Sequence, residues 1–147
     1  MDLKKEINDS CIQIFDFVLQ EEYSNLKNMG LKELTLNELH LLVKIKELKK
    51  LKAEVNPKDL TEQLNITKGT LSIYTTKLIN KNYIERKFDL GDRRKINLIL
   101  KPKAEYAIKL HDEWHEKFIN IALQGLNNKE QEKVNIVLKN ILNNLNK

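Results

Sequence analysis

A mainly helical fold carrying one small β-hairpin is predicted for these 147 residues. Three observations predict it. Apolar residues recur at helical spacing over most of the chain. Glycine and proline are sparse, four and two in number, which leaves the helices uninterrupted and provides no flexible linker. One stretch alone, "IERKFDLGDRRKINLIL" from Ile84 to Leu100, reads as two strand-like runs around a tight turn.

The elements follow in order. Residues 3–27 carry Ile7, Cys11, Ile14, Phe15 and Val18 as an amphipathic stripe, and Glu22 falls on that same stripe. Thr35 in "LTLNE" opens a second helix, with Glu38 at the reciprocal capping position, and Leu36, Leu39, Leu42, Val43 and Leu48 carry it to about Lys50. Asn56 and Pro57 start a short helix, because proline at the first helical position loses no hydrogen bond there; Leu60 and Leu64 face inward. Thr67 caps the next helix, with Leu71, Tyr74 and Leu78 on one face. Two short helices joined by such a turn form a helix-turn-helix pattern. Strand-like runs then cover Tyr83–Phe88 and Lys95–Leu100, around a turn from Asp89 to Asp92. Two amphipathic helices close the chain, from about Pro102 to Leu123 and from about Asn128 to Leu145. There is no internal repeat.

The formal net charge is +5 and the isoelectric point about 9.2, a balance that suits a phosphate-rich partner without requiring one. Cys11 is the sole cysteine, which excludes an internal disulfide and a cysteine-based zinc knuckle. The first residues lack the apolar run of a signal peptide, and no segment reaches the roughly 20 apolar residues of a membrane span. A cytoplasmic protein that does not engage a membrane is expected. An enzyme is the least favoured class: there is no glycine-rich phosphate loop and no serine–histidine–acid order.

All three arginines, Arg86, Arg93 and Arg94, lie in the hairpin; every other basic side chain is lysine or histidine. A guanidinium offers a planar fork of donors that suits phosphate or a narrow minor groove better than a lysine ammonium does. A hairpin directly after a helix-turn-helix is the wing of a winged helix, its tip beside the groove that the recognition helix occupies. Asp92 is then an orienting acid, because a carboxylate facing phosphate would be repelled. The predicted fold class is therefore mainly α with a small β wing. It comprises a winged helix-turn-helix lobe over about 35–101 and dimerisation helices over about 3–27 and 102–146, all within one domain spanning 1–147.

"TKGTLSIYTTKLINKNYIERK" followed by "DRRKINLIL" resembles the MarR family of winged-helix transcriptional regulators, whose wing carries an Asp-x-Arg signature matched by Asp92 and Arg94. The resemblance extends over nearly the whole chain. It implies a homodimer, joined through the terminal helices, that binds a palindromic operator in double-stranded DNA. It also implies DNA contacts by Thr67, Lys68, Gly69, Thr70 and Ser72 on the recognition helix and by Arg93 and Arg94 on the wing; Arg86 and Lys95 complete the expected set. Two departures stand out. Ile73 occupies a position that is basic in many members, and "LKPKAE" replaces the customary "LT-x-x-G" after the wing. A winged helix used for protein contact without DNA is the rival class.

The three histidines and Glu22 form a second constellation. His111 and His115 are one helical turn apart, and His40 lies on the apolar side of the second helix. Three imidazoles and a carboxylate make a complete tetrahedral zinc set if the helices bring them together. This arrangement resembles the zinc-sensing repressors of metal uptake within the family, although Asn28, Leu39 and Leu110 stand where their second site would need ligands. The segments "LKELTLNELHLL", "GTLS", "NYIERK" and "LHDEWHEKF" also resemble the family's repressors of fatty-acid synthesis, which respond to acylated acyl carrier protein. The effector could thus be an acyl carrier, a small molecule or zinc. The family implies an effector pocket, with Phe15, Leu19, Trp114 and Phe118 as candidate lining. The bland alternatives are a histidine–glutamate hydrogen-bond group and ordinary core packing.

Overall fold

The computed structural model describes residues 2–147. The chain divides into two compact units, one ending at His111 and the other Asp112–Lys147, with the boundary inside a helix.

In the first unit, α1 (Leu3–Asn28) starts at Asp2, whose carboxylate accepts from the Lys4 backbone N–H. Of its residues only Glu22 and Leu26 are buried; Ile7, Ile14 and Phe15 are exposed. Helix α2 (Leu36–Lys49) has the capping box expected of Thr35 and Glu38, both halves formed. It runs through the middle of the lobe, with Leu39, Leu41, Leu42 and Ile45 at 1% exposure or less. Helix α3 (Pro57–Leu64) carries a second capping box, Asn56 with Asp59, and stops at Asn65. Asn65 adopts the left-handed conformation (φ 51°), which a short polar side chain tolerates, and so turns the chain into α4 (Lys68–Asn80).

Strands β1 (Ile84–Phe88) and β2 (Ile96–Leu100) pair antiparallel, with Ile84 opposite Leu100 and Phe88 opposite Ile96. The connecting loop, Asp89–Lys95, is wider than the Asp89–Asp92 turn expected from sequence. Two aspartates shape it: Asp89 accepts from the Gly91 N–H at 2.8 Å and Asp92 from the Arg94 N–H at 3.0 Å. Val55 lies along the other side of β2, taking the Leu98 N–H at 2.8 Å and giving its own N–H to the Asn97 side chain at 3.0 Å. Helix α5 (Pro102–Ala122) follows, and its first turns bury Ala104, Ala107 and Ile108.

In the second unit the end of α5 leads through Gly125, at φ +89°, to α6 (Asn128–Leu145). Asn127 and Glu130 form its capping box. No residue of α6 is buried.

Candidate nucleic-acid interface

Helix α4 presents two unlike faces. Leu71, Thr75 and Leu78 are buried in the lobe, while Lys68, Gly69, Ser72, Ile73, Thr76 and Lys77 face outward. At its start the Thr67 hydroxyl accepts from the Thr70 N–H at 3.1 Å and pairs with the Thr70 hydroxyl at 3.0 Å. The cap satisfies one of the free amides at this end, and the helix dipole favours an anion there. Of the residues expected here from sequence, Thr67, Lys68, Gly69 and Ser72 are exposed and Thr70 is half-buried.

Beside α4 lies an open cleft of about 760 Å³ bounded by α3, α4 and the wing, with Lys52, Lys58, Lys68, Arg86, Arg94 and Lys95 on its walls. The three arginines behave differently. Arg94 is 93% exposed, and Asp92 accepts from its Nε at 3.2 Å as well as from its backbone N–H. These bonds, the backbone one foremost, hold the Asp92 carboxyl below the usual range, so it stays charged and orients the guanidinium. Arg93 is exposed in the same turn. Arg86 instead donates to the Thr75 hydroxyl at 3.2 Å, and so links β1 to α4. Thr75 passes its own proton back to the Leu71 carbonyl at 2.9 Å.

The other end of α4 is fixed by a polar group that no sequence pattern announces. Lys81, which caps the helix, reaches the buried Glu38 carboxylate at 2.8 Å and the Glu33 carbonyl. The buried Tyr83 hydroxyl donates to Glu33 at 2.7 Å. Burial, then the Glu33 contact, push the Tyr83 phenol well above its ordinary range, while Lys103 and Tyr83 hold the Glu33 carboxyl low. Partners of this kind lie 43 to 50 residues apart, and no local pattern encodes them. Lys52 and Lys58 were missed for a similar reason: only the fold carries them to the cleft.

The glutamate–histidine constellation is assembled in part within the first unit. Glu22, 8% exposed, sits between two imidazoles: Oε1 is 3.2 Å from His111 Nε2 and Oε2 is 3.2 Å from His40 Nε2. The two rings meet edge to face with centroids 5.8 Å apart. With a proton on each Nε2, both contacts are hydrogen bonds. His115 is one turn further along α5, in the second unit, where its ring lies edge-on to Trp114 at 4.7 Å. Of the residues proposed to line an effector pocket, Leu19 is half-buried against the lobe core and Phe15 is 66% exposed. In the second unit, Trp114 and Phe118 stack at 5.6 Å.

Residues 34–96, the stretch from the start of α2 to the start of β2, match the MarR family model. Among solved structures, the chain is similar to Streptococcus pneumoniae FabT in complex with DNA, at 26% identity over 97% of each chain with a TM-score of 0.86. A MarR protein from Peptoclostridium difficile shares the fold at 22% identity, covering 95% of this chain and 86% of that one, with a TM-score of 0.73. The S. aureus MepR–DNA complex does so at 20% identity, 90% and 95% coverage, and a TM-score of 0.66. No curated protein sequence matches. Family match, wing and helix-turn-helix agree: residues 34–96 are similar to the MarR family, and the chain has the winged-helix fold of MarR-family DNA-binding transcription regulators.

Proposed function

We propose that the chain acts as a homodimeric, effector-responsive repressor that reads a palindromic operator. The observation that carries this is the pairing of an outward polar face on α4 with an exposed, aspartate-steered Arg94, on either side of one basic cleft. The helix face suits a major groove and the wing the neighbouring minor groove. Dimerisation is supported by α6, where Val137, Leu138, Ile141, Leu142 and Leu145 are all exposed along an amphipathic helix. A two-fold pair sets two recognition helices about 34 Å apart and demands an inverted repeat.

Selection of duplexes from a random pool tests the proposal. Enrichment of an inverted repeat is expected, with affinity falling on a log–log salt plot by about 0.9 per phosphate neutralised. An unenriched pool with shallow salt dependence would favour a winged helix used for protein contact instead.

For the regulated genes, fatty-acid synthesis is the reading we favour. It is supported by the sequence segments that resemble repressors of that pathway. The effector is then an acyl chain on its carrier protein, or a small molecule, acting by preferring one spacing of the recognition helices. Operator binding with acylated and unacylated carrier protein tests the carrier-borne effector; equal affinities would rule that effector out.

A zinc-responsive reading has its own observation, the Glu22 carboxylate between His40 and His111. Two imidazole nitrogens and a carboxylate are a donor set that suits zinc, which would be held by the Nε2 lone pairs in the tautomer whose ring proton sits on Nδ1. His115 is the fourth donor expected from sequence. Titration with zinc, read by metal bound per chain and lost in Glu22→Ala, tests it; the absence of stoichiometric binding would leave the cluster as a hydrogen-bond group.

A further inference from the structure

We propose that Ile73 is a specificity-determining residue, packing against the 5-methyl group of a thymine in each operator half-site. The inference rests on the DNA-reading proposal above. Ile73 is 57% exposed near the centre of the outward face of α4, opposite the buried Leu71, Thr75 and Leu78. A β-branched apolar side chain there adds nothing to the lobe core and is a poorer helix former than the lysines nearby. Single exposed isoleucines are ordinary on protein surfaces. The surroundings of this one are not.

Its neighbours on that face, Gly69, Ser72 and Thr76, are all short, so the isoleucine is the side chain that stands proud between Lys68 and Lys77. Gly69 is not required by packing within the chain, since an added Cβ would meet only the Thr67 hydroxyl at 3.9 Å. Its lack of a side chain leaves room beside Ile73 for a closely approaching partner. The flanking charge, from Lys68 and from Arg86 and Arg94 across the cleft, suits nucleic acid. Within the major groove every base edge presents hydrogen-bonding groups, and thymine alone adds an apolar one, its methyl. An isoleucine brought against any other base leaves polar edges without partners. Against thymine it buries apolar surface on both sides.

The test uses the full-length protein and an operator obtained by duplex selection. Each thymine is replaced in turn, in both half-sites together, by deoxyuridine, which lacks only the methyl. One position should weaken binding about fourfold per half-site, the equivalent of one buried methyl, and on the order of tenfold for the symmetric pair. Ile73→Val should keep most of that penalty. Ile73→Ala should abolish it at that position alone while unfolding at no lower temperature, since the site is exposed and alanine favours helix. Normal operator binding with no methyl-sensitive position, or the same sensitivity in Ile73→Ala, overturns the inference and leaves DNA reading intact. Failure of the wild-type protein to bind any duplex at low salt removes both.

Discussion

The winged-helix lobe and the end helices use similar apolar side chains to opposite ends. In the lobe, Leu42, Ile45, Leu60, Leu78, Tyr83 and Leu98 are wholly enclosed, drawn from α2, α3, α4 and the segment that includes both strands. In α6 nothing is buried, although Leu138, Ile141 and Leu142 sit at helical spacing. The front of α1 resembles α6, with Ile7, Ile14 and Phe15 open. The lobe thus closes on itself, whereas the terminal stripes are exposed in the single chain. One region buries its own side chains; the other leaves open the stripes that the proposed dimer would use.

The largest effect should come from breaking the assembly side. Leu142→Glu places a charge in the α6 stripe; it should abolish dimerisation in sedimentation and lower operator affinity by about two to four orders of magnitude, the usual advantage of linked sites. On the lobe side, Ile45→Ala removes methyl groups from an enclosed position and should cost about 2–5 kcal/mol in denaturant unfolding. That cost should not depend on protein concentration, whereas any loss from Leu142→Ala should. If both variants show the same concentration dependence, the two regions are not separable.

A smaller effect is expected at the wing. Arg94→Ala should weaken operator binding roughly tenfold and flatten the salt slope by about one, with the dimer unaffected. The smallest concerns the entry to the lobe. Burial raises the Asp59 carboxyl, but hydrogen bonds from Lys52 and the Asn56 backbone outweigh it, and the net shift is downward. A carboxyl lowered by folding contributes stability above its unfolded value, which is lost as the pH falls through the folded one. Asp59→Asn should therefore narrow the stability difference between pH 6 and about pH 3 in thermal unfolding.

Much of the lobe was legible because its signals are local. Thr35 with Glu38 and Asn56 with Pro57 mark their own helix starts, and alternation through Ile96, Leu98 and Leu100 marks a strand. The arginines drew attention to the wing by their scarcity elsewhere. What escaped was non-local or conformational. Val55 completes the edge of β2 without any strand pattern of its own, and the width of the wing loop depends on side-chain bonds by Asp89 and Asp92. Arg86, grouped with the other arginines by sequence, is tied to Thr75 because strand pairing turns it toward α4. Spacing put His40, His111 and Glu22 on suitable faces, but only the packing of α1, α2 and α5 decided that they meet.

The bond from the Leu98 N–H to the Val55 carbonyl, two residues before the proline that opens α3, has a mechanical consequence. It makes the root of the hairpin continuous with the helix-turn-helix, so the strands cannot swing without dragging α3. Leu90, at the tip of the Asp89–Lys95 loop, is by contrast fully exposed. Amide exchange should report this as a slow Leu98, anchored to Val55, and a fast Leu90 at the solvent-facing tip.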